Sequence, residues 1–126
     1  MAKKNDFISE LTDDWTPLTD DPIVSDVIRW SEPIFAPMKP GQRGKAKAIG
    51  QQMIAGEILS LAGEAPLIFV MEAEQLSSVS GSRFKELPVK VGTKIKRRYA
   101  TILEGDCHRL LWKDEGARDF IISEQK

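Results

Sequence analysis

Gln51-Gln-Met-Ile-Ala-Gly-Glu-Ile-Leu-Ser-Leu61, then Ala62-Gly-Glu-Ala-Pro66, then Leu67-Ile-Phe-Val-Met-Glu-Ala-Glu74 form two apolar segments around a turn. The second segment reads as a strand. It begins as a continuous apolar run and then alternates apolar with acidic residues, the pattern of a chain with one face in a core. The first segment allows two readings. As a helix, Ile49, Met53, Ile54, Ile58 and Leu61 line one face, with Gly63 closing the end. Gly50 and Gly56 oppose that reading, since each costs roughly 1 kcal/mol inside a helix. As a strand, residues 52–61 pair with 67–75 across the Gly-Glu-Ala-Pro turn. The hairpin is the preferred reading.

Working toward the C-terminus, Ser77 to Arg83 is a serine- and glycine-rich loop. Leu87-Pro-Val-Lys-Val-Gly-Thr-Lys-Ile-Lys96 leads into a strand expected over Lys94 to Leu103. Alternation would place Ile95, Tyr99 and Leu103 on one face and Lys94, Lys96, Arg98 and Ile102 on the other. Glu104-Gly105-Asp106 is a tight turn, and Cys107 to Trp112 returns as a strand. Asp114 then caps a short helix through about Ile122, which should set Phe120 and Ile121 against the body.

Working toward the N-terminus, Lys39-Pro-Gly-Gln-Arg-Gly-Lys-Ala-Lys-Ala-Ile-Gly50 is a basic, glycine-punctuated linker. Residues 1–44 hold five of the seven prolines and read as an irregular acidic arm. One short helix is expected in it, from Asp21-Pro22 through Trp30, because Pro22 suits a first helical position. The arm is not ordinary disorder, since it carries Trp15, Trp30 and several branched aliphatics. Residues 45–126 are then the folded body. The expected fold is α+β and β-rich: a small antiparallel barrel or curled sheet, OB-like or SH3-like, with a short C-terminal helix. No internal repeat is evident.

Charge is divided by position. Residues 1–33 carry eight acids against three bases, and residues 34–126 carry fifteen bases against eleven acids, under a net charge of -1. The longest apolar run, Ala65 to Met71, is far short of the roughly 20 residues of a membrane span. The N-terminus lacks the apolar core of a signal peptide. A single cysteine offers no disulfide framework, which fits a reducing, cytoplasmic compartment.

The sharpest candidate site is the basic strand: Lys94, Lys96, Arg97 and Arg98, followed by Tyr99, with Arg109 expected across the hairpin. Nucleic-acid binders need cations spaced along a phosphate backbone, and single-strand binders add aromatics on which bases stack. Tyr99, Trp112 and Phe84 are candidates for that role. The alternative is a solvated edge strand whose lysines block aggregation. Arg43, Lys45 and Lys47 form a second basic group, able to clamp phosphates or to serve as a soluble connector. No P-loop pattern is present. Cys107-His108 makes neither a zinc site nor a catalytic pair, because a structural zinc needs four ligands and adjacent strand residues face opposite ways. Glu72 and Glu74 share a strand face and read as solvated rather than metal-binding.

These features point to a non-enzymatic nucleic-acid-binding or accessory protein without cofactor, modulated by its acidic arm. A second expectation is a protein–protein interaction module or inhibitor whose arm presents Trp15 and Trp30 to a protein partner. A third is an assembly subunit that pairs through an exposed strand edge.

Overall fold

The computed structural model describes residues 11–36, 40–41, 43–44 and 46–124. Six strands form one antiparallel sheet: β1 (Leu11–Pro17), β2 (Val27–Phe35), β3 (Ala48–Ser60), β4 (Leu67–Ser78), β5 (Lys94–Lys96) and β6 (His108–Trp112). Among the described residues two helices accompany it, α1 (Tyr99–Glu104) and α2 (Glu115–Glu124). The strand order is β1-β6-β2-β3-β4-β5, so β1 and β5 are edges and the sheet is not closed into a barrel. No described helix is long and apolar enough to cross a membrane.

The hairpin of β3 and β4 has the register expected of it. Ile54 opposes Ala73 and Ile58 opposes Ile68, with three register shifts along the pair. Such bulges bend a ladder and strengthen its twist. Gly56 sits at one shift, where a Cβ would overlap the Phe69 carbonyl and the Ile68 side chain. The strand reading of 52–61 therefore holds, and its glycine is there for close approach.

The N-terminal segment departs from expectation. Residues 11–17 and 27–35 are not an irregular arm but strands of the same sheet, and β2 lies between β6 and β3. The anticipated division at residues 44 and 45 falls in the connection between β2 and β3. The helix expected over Asp21 to Trp30 does not form. Ser25 takes a left-handed backbone at φ 83, and Asp26 N–H closes a turn on the Ile23 carbonyl at 3.0 Å. A helix cannot pass through that conformation. From Val27 onward the chain alternates, with Ile28, Trp30, Glu32 and Ile34 turned inward.

The core lies on one face of β2, β3 and β4. Ile28, Trp30, Ile54, Ile58, Ile68 and Val70 form it, and Val89, Ile102 and Cys107 close over it. Burying each branched aliphatic contributes about 1.5–3 kcal/mol. The cover also corrects the long strand expected over 94–103. β5 stops at Lys96, and the chain crosses the core face as α1, delivering Ile102 into the core and leaving Leu103 exposed. Gly105 then lies directly against the Ser31 backbone, where a Cβ would overlap the carbonyl.

Asp114 caps α2 as expected, accepting the Ala117 N–H at 3.1 Å. Its inward face differs. Phe120 is 65% exposed and Ile121 is exposed, while Arg118 is the buried residue of the helix.

Candidate nucleic-acid interface

The candidate residues fall into three separate places. Lys94 and Lys96 are exposed on the edge strand β5, paired in register with Phe69 and Leu67 at the start of β4. Arg97 leaves that edge and turns inward. Its Nε donates to both Glu32 oxygens, at 3.0 and 3.2 Å. Glu32 is buried and also accepts the Trp30 indole N–H at 2.9 Å. Arg97 therefore neutralises a buried carboxylate first. Arg98 is exposed with an extended backbone, one residue before α1. Tyr99 opens α1, half-buried, and burial together with nearby Asp21 holds its phenol above the usual value. An acid beside the ring opposes a phosphate there.

Arg43 and Lys47 are exposed on the connection from β2 to β3, and Lys45 lies outside the described residues. This group is remote from β5. Ile49 accepts the Val79 N–H at 2.8 Å, so the start of β3 lies beside the end of β4. From Phe69, opposite Lys94, to Ser78 at about 3.3 Å per residue, Lys94 stands about 30 Å along β4 from the start of β3.

Arg109 and Trp112 lie on β6 and hold structure together. Arg109 makes a bidentate pair with Glu115, at 3.0 and 2.7 Å. The Trp112 indole N–H donates to Asp26 at 3.0 Å. Asp26 is fully buried and accepts two bonds from Arg118, at 2.9 and 2.7 Å, and the Ile23 N–H at 3.0 Å. Trp112 is half-buried, with the N–H edge of its ring fastened to a buried carboxylate. Trp30, expected to meet a partner, is 1% exposed and belongs to the core. Trp15 is half-buried on β1, with the Arg29 guanidinium 4.4 Å above its ring centre.

The structure assembles a different group. The connections 36–47 and 79–93 leave the same end of the sheet, since Gly50 opposes Ser78 and Ala36 N–H donates to the Lys47 carbonyl at 2.8 Å. Among the described residues of these connections, Arg43, Lys47, Arg83, Lys85 and Lys90 are exposed, against the single acid Glu86. Glu86 pairs with Lys90 at 3.3 Å, but both are solvated and the pair adds little. At the opposite end, the connections 18–26 and 61–66 expose Asp20, Asp21 and Glu64 and contain no base. The two pairs of connections thus differ in charge, while Lys94 and Lys96 on β5 lie toward the 61–66 end.

Phe35 stands at the basic end, 53% exposed. It lines two clefts. The first, about 640 Å³, is bounded by Pro33, Gln51, Arg97 and Glu104 among others. The second, about 370 Å³, is bounded by Ile34, Ile49, Phe84 and Lys90 among others. Phe84 reaches the second cleft because Gly50 leaves room, its ring lying 3.2 Å from where a Cβ would be. The first cleft runs along β2 beyond its described pairing with β6. β6 pairs with β2 only at Ile28 and Arg29, and Ser31 N–H then donates to the Gly105 carbonyl at 2.9 Å. Alternation points the backbone of Pro33 and Phe35 the same way as Ser31, away from β3. Pro33 has no N–H to offer on this side of β2, which disfavours strand addition there.

The sequence alone could have flagged Phe35 only as one apolar residue beside a basic linker. Nothing in it placed residues 83–90 alongside. No protein-family model matches the chain, and neither curated proteins nor solved structures provide a match.

Proposed function

We propose that this is a non-enzymatic nucleic-acid-binding or accessory protein whose contact surface is the basic end of the sheet. The supporting observation is that the connections carrying exposed Arg43 and Lys47 and exposed Arg83, Lys85 and Lys90 leave the same end of the sheet, where Phe35 is exposed. Cations gathered on one end release counterions when they meet a phosphate backbone, and that release supplies most non-specific affinity. Lys94, Lys96 and Arg98 form a lesser basic edge, near the start of β4 and partly offset by Asp21.

The test is fluorescence anisotropy of labelled oligonucleotides at low and physiological salt. Two triple variants are compared: Arg43→Glu/Lys47→Glu/Lys85→Glu, and Lys94→Glu/Lys96→Glu/Arg98→Glu. The first should reduce affinity strongly and lower the logarithmic salt slope by about one for each phosphate no longer neutralised. The second should act more weakly. Wild-type affinity in the first variant, or no binding by the wild type at low salt, overturns the reading.

A further inference from the structure

We propose that the basic end takes single-stranded nucleic acid, with a base stacked on Phe35 between the two clefts; this rests on the nucleic-acid reading above. Among the described aromatics only Phe35 and Phe120 are more than half exposed, at 53% and 65%. Phe120 stands on α2 beside Asp119 in a segment with more acids than bases, which repels phosphates. Phe35 alone combines an open ring with neighbouring cations. Lys47 lies one register step away across the β2–β3 pair, and Lys90 lines the second cleft. The spacing of a cation one step from an open ring matches a nucleotide, whose phosphate and base lie apart along the strand.

The strandedness follows from the ring's setting. A duplex hides base faces in its own stack, whereas a single strand offers them to an aromatic. Clefts of about 640 and 370 Å³ on either side of the ring fall within the range of small-molecule sites, about 300–1,000 Å³. Each leaves space for a base beside the stacked one. The first cleft supplies groups for base edges rather than for phosphates. Gln51 is exposed there, and Glu104 offers an acceptor to base amino groups. The second cleft is apolar on its floor, with Ile34, Ile49 and Phe84, and carries the solvated Lys90–Glu86 pair at its rim.

The full chain is titrated against labelled single-stranded DNA, single-stranded RNA and duplex DNA of equal length. Phe35→Ala should weaken single-strand binding about tenfold, within the roughly 5- to 150-fold that one lost stack implies, with an unchanged salt slope. Phe35→Leu, which keeps apolar bulk without an aromatic face, should weaken it similarly. Phe35→Tyr should bind like wild type, and Phe120→Ala should too. Thermal melts confirm folding, which substitution of a half-exposed side chain leaves intact. Wild-type affinity in Phe35→Ala or Phe35→Leu, or a preference for duplex, overturns the stacking site while the nucleic-acid reading stands. Absence of binding to every probe at low salt overturns both. The ratio of DNA to RNA affinities separates the two sources of the strand.

Discussion

Asp26 and Glu32 lie in the most acidic segment of the chain, and both are enclosed by the fold. Each is tolerated because a distant arginine meets it, Arg118 for Asp26 and Arg97 for Glu32. Four hydrogen bonds reach the Asp26 carboxylate, so the buried charge leaves no lone pair wanting. Gln52 is less well served: its Nε2 lies 3.5 Å from Glu32, and its buried Oε1 has no donor among the described residues. Cys107 is the clearest residue-scale prediction. Burial first, then Asp106 and Asp26, push its thiol up to about 12, so the reactive thiolate is scarce at neutral pH. Iodoacetamide should label the native protein slowly and the denatured protein quickly; rapid stoichiometric labelling of the native state would contradict this. The sequence showed a lone cysteine. Its inertness follows only from the packing of Leu18, Ile28 and Ile102 in and around the same core.

β2 and α2 are the elements whose reading changed most. The β2 pattern Ile28-x-Trp30-x-Glu32-x-Ile34 is a strand alternation with an acid in an inward position, and the acid and Pro33 concealed it. Pro33 is compatible with the strand because its nitrogen faces the side that β6 leaves open. α2 carries its apolar residues outward and is held by charge. Arg118 reaches Asp26, while Glu115 accepts two bonds from Arg109 and the Trp112 N–H at 2.7 Å. Asp26→Ala would strand a buried guanidinium and should destabilise the protein by about 3–5 kcal/mol in denaturant titrations. A loss below about 1 kcal/mol would show the pair to be dispensable. The bonds from Arg109 hold the Glu115 carboxyl below its ordinary value. The unfolded chain therefore takes up that proton at higher pH than the native one. The contribution of Glu115 is present above the ordinary carboxylate range and is lost as pH falls below it. Glu115→Gln should lower the melting temperature at neutral pH, and the gap to wild type should narrow below about pH 4. A gap independent of pH would assign the effect to shape rather than charge.

At the scale of the whole molecule, the fold gathers at one end of the sheet cations that lie far apart in the chain. Sequence alone determined the β3–β4 hairpin, the class of the fold, the strand at 108–112 and the capped C-terminal helix. Those features rest on local periodicity, turn chemistry and capping, which act between near neighbours. Tertiary structure alone decided that the acidic segment supplies two strands, one of them central, because only pairing with residues 97 and 118 makes its acids fit to bury. It also separated the cations of β5 from those of the 36–47 connection and joined the latter to residues 83–90. Surface charge exerts its effect through distance in space, and antiparallel pairing of β3 with β4 sets that distance by bringing connections more than thirty residues apart in the chain to one end.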